Sequence, residues 1–283
     1  MKSRVIQNES DHRPTTAVVP PPRTGVRGWV RDHRLVTFFV LAFVLAWWSW
    51  PLYQWDIWPR QAFQAVGALI AAVVVIALAD GRAGFLDLGK RIIRWRVPWY
   101  YYAFALLVPL LVRWSMTLLN DAPSPDWVNL SWTSFGLWFL VRLINPLDGP
   151  LAEEPSWRGF AVPRLQAQRS PLVSAAILGV LVALWHLPLI GDTGWVGIVT
   201  TFTITFVYVW LFNRTGGSVL LVLLFHSAQG FITMRDLGYS GDGLARQELL
   251  EGIAWAVVAL ALIVFDRSAW RRAPEAAIYH DDR

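Results

Sequence analysis

The stretch "LVSAAILGVLVALWHLPLI" (residues 172–190) has one ionisable side chain, His186, among 19 residues. A helix of about 20 apolar residues crosses the ~30 Å hydrocarbon core of a bilayer, so this stretch predicts a transmembrane helix. Similar runs lie at 35–53, 62–79, 99–119, 134–144, 195–212, 218–234 and 252–265. Together they predict an all-α, polytopic membrane protein with about eight transmembrane helices.

The composition supports this class. Hydrophobic residues make up 55% of the 283-residue chain, charged residues only 16%, and 18 residues are Trp, which is far from the profile of a soluble domain. The chain has no Cys, which excludes disulfides, thiolate catalysis and cysteine-ligated metal. The net charge of +5 comes mostly from arginines beside apolar runs. These indicate topology signals and contacts with the lipid bilayer, and no nucleic acid partner is expected.

Charge also predicts the domain organisation. Residues 1–34 are polar and carry seven Lys or Arg, which favours a disordered cytoplasmic tail. Residues 35–266 form the predicted membrane domain, and residues 267–283 a cytoplasmic C-terminal tail. Basic clusters recur in alternate loops, so the positive-inside rule places both termini in the cytoplasm. The many arginines and few lysines favour a bacterial origin, and hence the plasma membrane.

Few ionisable groups fall at membrane depth. His186 and His226 lie inside predicted helices, where an ionisable residue is a functional hypothesis by default. Most Asp and Glu residues fall in predicted tails or loops, which leaves the adjacent Glu153 and Glu154 in "GPLAEEPSWRGF" (149–160) as the main acidic candidates.

The depth of the glutamates follows from counting helix rise. The run 134–144 is too short to cross ~30 Å at about 1.5 Å per residue, so the fourth crossing should continue to a turn near 166–171. Glu153 and His186 are then equally far from that turn, and His226 comes within about two turns of the same level. The sequence thus predicts a buried polar site between helices 4, 5 and 7.

The two glutamates are predicted to differ in role. Arg158 follows Glu154 by four residues, so these two can form an ion pair on one helix face. Glu153 lies about 100° around the helix and should face the histidines. The helix should start near the glutamates, because residues that interrupt helices cluster between 145 and 155, namely Pro146, Gly149, Pro150 and Pro155.

A carboxylate with two imidazoles at membrane depth suits hydrolysis in two ways. Glu153 can take a proton from water as general base, while the histidines orient that water or stabilise the oxyanion. Alternatively, Glu153, His186 and His226 can ligate Zn²⁺ and leave a fourth position for water. The residues alone leave both mechanisms open.

The motifs resemble those of the CPBP (CAAX protease and bacteriocin-processing, or Abi) family of intramembrane endopeptidases, which includes the type II CAAX prenyl endopeptidases. The resemblance covers residues 140–235. "EEPSWR" matches Glu-Glu-x-x-x-Arg, and "VALWHLP" matches Phe-x-x-x-His except that Val182 replaces Phe. "HSAQG" matches His-x-x-x-Asn or Asp except that Gly230 replaces the last residue, with Gln229 beside it.

The resemblance implies a hydrolase that cleaves a membrane-associated, lipidated or bacteriocin-like peptide or membrane-protein substrate. It implies a catalytic set of Glu153, His186 and His226, and supporting roles for Glu154, Arg158 and Gln229. Family members include proposed metalloproteases, and a metal-free glutamate mechanism is also argued for them. Two alternatives remain: an altered family member that acts as a membrane binding or immunity protein, which the departures at Val182 and Gly230 keep open, and a transporter or proton pathway.

Overall fold

The computed structural model describes residues 25–57, 62–121, 131–230, 232–233 and 236–280, and within these ranges the chain is helical without strands. The predicted all-α fold is confirmed. The helices are α1 (Val26–Asp32), α2 (Arg34–Gln54), α3 (Val66–Ile92), α4 (Trp99–Leu119), α5 (Trp132–Ile144), α6 (149–166), α7 (Pro171–Trp185), α8 (Ile190–Arg214), α9 (Val219–Gly230), α10 (Gly241–Phe265) and α11 (Arg267–Arg271).

Several helices are suited to a bilayer. Among the described residues, α2, α3, α4, α8 with its preceding turn, and α10 are long and apolar enough to cross a membrane, and α7 and α9 are shorter apolar helices. Large apolar side chains point outward along them; Val36, Val40 and Val44 of α2 are 57%, 57% and 59% exposed. Such a surface is stable against lipid rather than water. The chain is a polytopic integral membrane protein.

The last long helix corrects the predicted distribution of acids. It begins at Gly241, not near 252, so Glu251 lies inside α10 and is buried rather than in a loop. Its carboxylate accepts hydrogen bonds from Arg113 Nε and Nη2 at 3.0 and 3.2 Å. This paired charge joins α4 to α10, because breaking a buried ion pair leaves an uncompensated charge.

The fourth crossing is helical in two parts. Helix α5 ends at Ile144, and α6 begins at Gly149 with Pro150 in its first turn, where proline is tolerated. Pro155 does not interrupt the helix as predicted. Instead it opens a π-helical stretch, Pro155–Ala161, whose wider turn is one way for a helix to accommodate a residue that has no N–H and crowds the preceding turn.

Helix α6 lies at the centre of the bundle. It contacts α3, α5, α7 and α9, and residues 152–166 are all buried. Trp157 of α6 packs edge-on against Trp185 of α7, with ring centroids 5.1 Å apart, and against Phe38 of α2, at 5.4 Å. These close-packed rings set the position of α6 relative to the helices that carry the histidines.

Both predicted tails contain ordered structure. Residues 1–24 lie outside the described residues, but Val26–Asp32 is a helix within the stretch predicted to be disordered. At the other end, Tyr279 packs onto the bundle: the Arg164 guanidinium lies 3.8 Å from the centroid of its ring and 3.8 Å from that of Phe160. The segment after α10 therefore covers the end of α6.

Candidate active site

Glu153, His186 and His226 come together in the structure. Glu153 Oε2 lies 4.0 Å from His186 Nε2. A Cβ atom added to Gly149 would lie 2.7 Å from Glu153 Oε1 and 3.8 Å from His226 Nε2, so both groups surround this glycine. Because residue 149 is a glycine, no side chain competes with the Glu153 carboxylate for this space. Counting from the turn predicted that these side chains lie at one level, and in the structure they meet.

His186 stands at the end of α7 with a defined ring orientation. Its Nδ1 lies 2.8 Å from the carbonyl oxygen of Val182, which can only accept, so Nδ1 carries the proton and donates. In the neutral ring, Nε2 is then an acceptor that faces Glu153. Packing fixes the ring further, since Trp185 lies edge-on at 5.0 Å and Phe63 at 5.6 Å between centroids.

Glu154 accepts hydrogen bonds from both Arg158 and His226. Its Oε1 accepts from Arg158 Nη1 at 3.1 Å, which is the ion pair expected from the spacing. The same oxygen lies 2.7 Å from His226 Nδ1, a contact that the sequence analysis did not assign. The carboxylate selects the form of His226 that donates from Nδ1, because an ionised carboxylate only accepts. In the neutral ring, His226 Nε2 is then an acceptor on the side of Glu153.

These groups border a cavity of about 140 Å³, enough for several waters at roughly 30 Å³ each. Tyr208 of α8 was not predicted, yet it lines the cavity and its ring lies 4.2 Å from the Arg158 guanidinium. Its signal is a polar stripe with i, i+4, i+7 spacing in an apolar helix: Thr201, Thr205 and Tyr208. The lining residues are Glu153, Arg158, Val182, His186, Thr200, Thr201, Ile204, Thr205, Tyr208, His226 and Gln229.

The two departures from the family motifs have local explanations. Val182 contacts His186 through its backbone carbonyl, an interaction that does not depend on the side chain at that position. At Gly230, an added Cβ would lie 2.5 Å from Arg142 Nη2. The Arg142 guanidinium, bonded to Asp148 Oδ1 at 3.0 Å, fills the space that a side chain at 230 would need.

The arrangement of the donor atoms does not fit a zinc site. Ligands at about 2.0–2.2 Å in a tetrahedral site lie roughly 3.3–3.6 Å from one another. The separation of Glu153 Oε2 and His186 Nε2 is 4.0 Å, which is wider than that of two ligands on one zinc ion. Within the described part of the chain, no three His, Asp or Glu residues are placed to hold a metal ion. We therefore derive no catalytic step through zinc.

The family resemblance is supported by a model match. Residues 131–232 match the family described as type II CAAX prenyl endopeptidase Rce1-like. No curated protein matched the chain. The matched segment runs from α5 to just beyond α9 and contains Glu153, Glu154, Arg158, His186 and His226, so the recognition from the motifs is confirmed. The segment that carries the candidate site is thus similar to the Rce1-like type II CAAX prenyl endopeptidases.

Proposed function

We propose that this protein is an intramembrane endopeptidase in which Glu153 activates water for attack on a peptide bond. The observation that carries the proposal is the placement of the Glu153 carboxylate 4.0 Å from His186 Nε2, in a cavity that His226 also lines. A general base needs a water within hydrogen-bond reach, and the gap between these two atoms can be bridged by one water.

The chemistry follows from the donor and acceptor roles of the side chains. Glu153 takes one proton from the water, and the oxygen forms a bond to the carbonyl carbon of the substrate. Both histidines, when neutral, present an acceptor Nε2 toward the cavity, so one of them can accept the second hydrogen of the water while Glu153 accepts the first, which directs the lone pair of the water at the substrate. Glu153 then delivers its proton to the leaving nitrogen as the C–N bond breaks.

Two donors are available for the oxyanion. Gln229 and Tyr208 line the same cavity and can donate from an amide N–H and a phenolic O–H. Such donors are worth most where water is excluded, because charge interactions are stronger at low dielectric. Gln229 precedes Gly230, the position at which the family motif has Asn or Asp, so it is the closest source of an equivalent amide.

The family match over residues 131–232 and the apolar helices support a substrate class. We propose a membrane-associated peptide or membrane protein, with lipidated chains and bacteriocin-like precursors as the first candidates. The many arginines and few lysines support a bacterial plasma membrane location, and the basic clusters in alternate loops support cytoplasmic termini.

The decisive test is Glu153→Gln in purified, full-length protein with a peptide library and, in the native membrane, as a substrate trap. We expect turnover to fall by about 10²–10⁴, the contribution of a general base, while helical content and cleavable-substrate binding persist. Glu275→Gln, an exposed position in the C-terminal segment, is the matched control. Turnover by Glu153→Gln equal to that of wild type would overturn the role of Glu153, and absence of cleavage by the wild type would favour a binding or immunity role. Proton or solute flux in reconstituted vesicles without cleavage would instead favour transport.

A further inference from the structure

A second cavity lies away from the candidate active site, at the Arg-rich end of the bundle. It has a volume of about 580 Å³ and lies between the end of α1, the first turns of α2, the end of α6 and the side of α7 as far as Leu181. Four arginines line it: Arg31, Arg34, Arg164 and Arg169.

The charge balance of this cavity is positive. The carboxylate of Asp80 is shared, with Oδ1 accepting from Arg34 at 2.7 Å and Oδ2 from Arg164 at 2.6 Å. Asp32 is the other acid at the site. Four guanidinium groups thus face two carboxylates. Arg169 is exposed and forms no hydrogen bond or ion pair with the described residues, so its charge is available to a ligand.

The opposite wall of the cavity is apolar. It is formed by Val36 and Phe39 of α2 and by Ile177 and Leu181 of α7. Helix α7 starts at Pro171, so Leu181 lies about 15 Å along the helix from its basic end at 1.5 Å per residue. Val36 is 57% exposed, so the groove opens toward the lipid side of the bundle. A cavity with a positive end and an apolar groove is complementary to an amphiphile, which has an anionic headgroup and an apolar chain.

From this juxtaposition we propose that the groove between α2 and α7 binds an anionic phospholipid, with the phosphate at Arg31 and Arg169 and an acyl chain along Ile177 and Leu181. Basic pockets between transmembrane helices suit anionic headgroups. The chain's own residues 1–24 are a poor occupant, because they carry four Lys or Arg against two acids. The site is separate from the Glu153 cavity and does not depend on catalysis.

The test uses full-length protein in phosphatidylcholine nanodiscs with and without phosphatidylglycerol. We expect native mass spectrometry to show one retained phosphatidylglycerol, and thermal unfolding to shift upward. Inorganic phosphate and diacylglycerol, which carry only one half of the ligand's chemistry, should produce neither effect. The same upward shift with phosphate, or equal retention of diacylglycerol, would overturn the proposal.

Substitutions locate the site. Arg169→Gln should weaken retention about fivefold, and Arg31→Gln with Arg169→Gln about 25-fold, which corresponds to about 1 kcal/mol per basic residue at an anionic surface. Arg31 Nε also donates to Ala79 O at 2.9 Å, so the loss of Arg31 could weaken the fold as well as the site. The single Arg169→Gln variant removes no hydrogen bond or ion pair with the described residues, and its effect on lipid retention can therefore be read without that complication. Arg271→Gln removes an exposed charge outside the groove as the matched control. Equal loss with Arg271→Gln and Arg169→Gln would show a nonspecific surface effect and overturn the site.

Discussion

Glu154 Oε1 lies 2.7 Å from His226 Nδ1 and also accepts the hydrogen bond from Arg158 Nη1. One carboxylate oxygen on α6 therefore holds a cation on its own helix and an imidazole on α9. The two adjacent glutamates have different roles. Glu153 borders the cavity with His186, while Glu154 positions His226 through the ring nitrogen Nδ1.

We expect Glu154→Gln to lower kcat/KM by roughly 10–100-fold, because the amide no longer selects the His226 form that donates from Nδ1. His226→Ala should lower it by at least as much. If Glu154 acts through His226, the double variant should be no slower than His226→Ala alone. Losses that multiply in this double-mutant cycle would contradict a shared role, and circular dichroism should show an intact fold in all three.

Gly149→Ala should inactivate the protein without unfolding it. The added methyl group would lie 2.7 Å from Glu153 Oε1 and so displace the carboxylate from its place beside His186. We expect kcat to fall by at least 10²-fold, since small misplacements of a catalytic group are costly. Gly136→Ala in α5 is the matched control, because its Cβ would meet nothing within 4 Å. Comparable activity in both alanine variants would rule out this role for Gly149.

Gly230→Asn should be destabilising in the wild-type background. The new side chain would need the space of Arg142 Nη2, 2.5 Å from its Cβ, and would force that guanidinium from Asp148. The displaced group is the flexible end of a partly exposed side chain, so the cost is that of its ion pair, about 0.2–1 kcal/mol. Combining Gly230→Asn with Arg142→Ala should recover part of the thermal stability. A single variant as stable as wild type would mean that Arg142 relocates without cost.

Removal of metal ions should leave proteolysis unchanged. This follows from the separation of Glu153 Oε2 and His186 Nε2, which at 4.0 Å is wider than the roughly 3.3–3.6 Å between two ligands in a tetrahedral zinc site. The measurement is peptide turnover before and after chelation, with elemental analysis of the same sample. Loss of activity on chelation, restored by Zn²⁺, would establish a metal-dependent mechanism in a rearranged site.

Sequence patterns predicted much of the fold, because a membrane helix can be recognised from a continuous run of apolar residues. The run at 99–119 coincides with α4, since about 20 apolar residues can satisfy their backbone in lipid only as a helix. Helix ends were less predictable where polar residues sit inside the bundle. Glu251 was placed in a loop because its charge signals solvent, whereas in the fold Arg113 compensates that charge.

The sequence by itself determined the class of protein, the common level of Glu153 and His186, and the Glu154–Arg158 pair, because each of these depends on apolar length or on spacing along a helix or from a turn. Only the tertiary structure decided that His226 binds Glu154, that Tyr208 joins the cavity, and that Arg142 fills the space beside Gly230. Those contacts join side chains from different helices, and their partners are set by how the helices are rotated and packed, which no local spacing encodes.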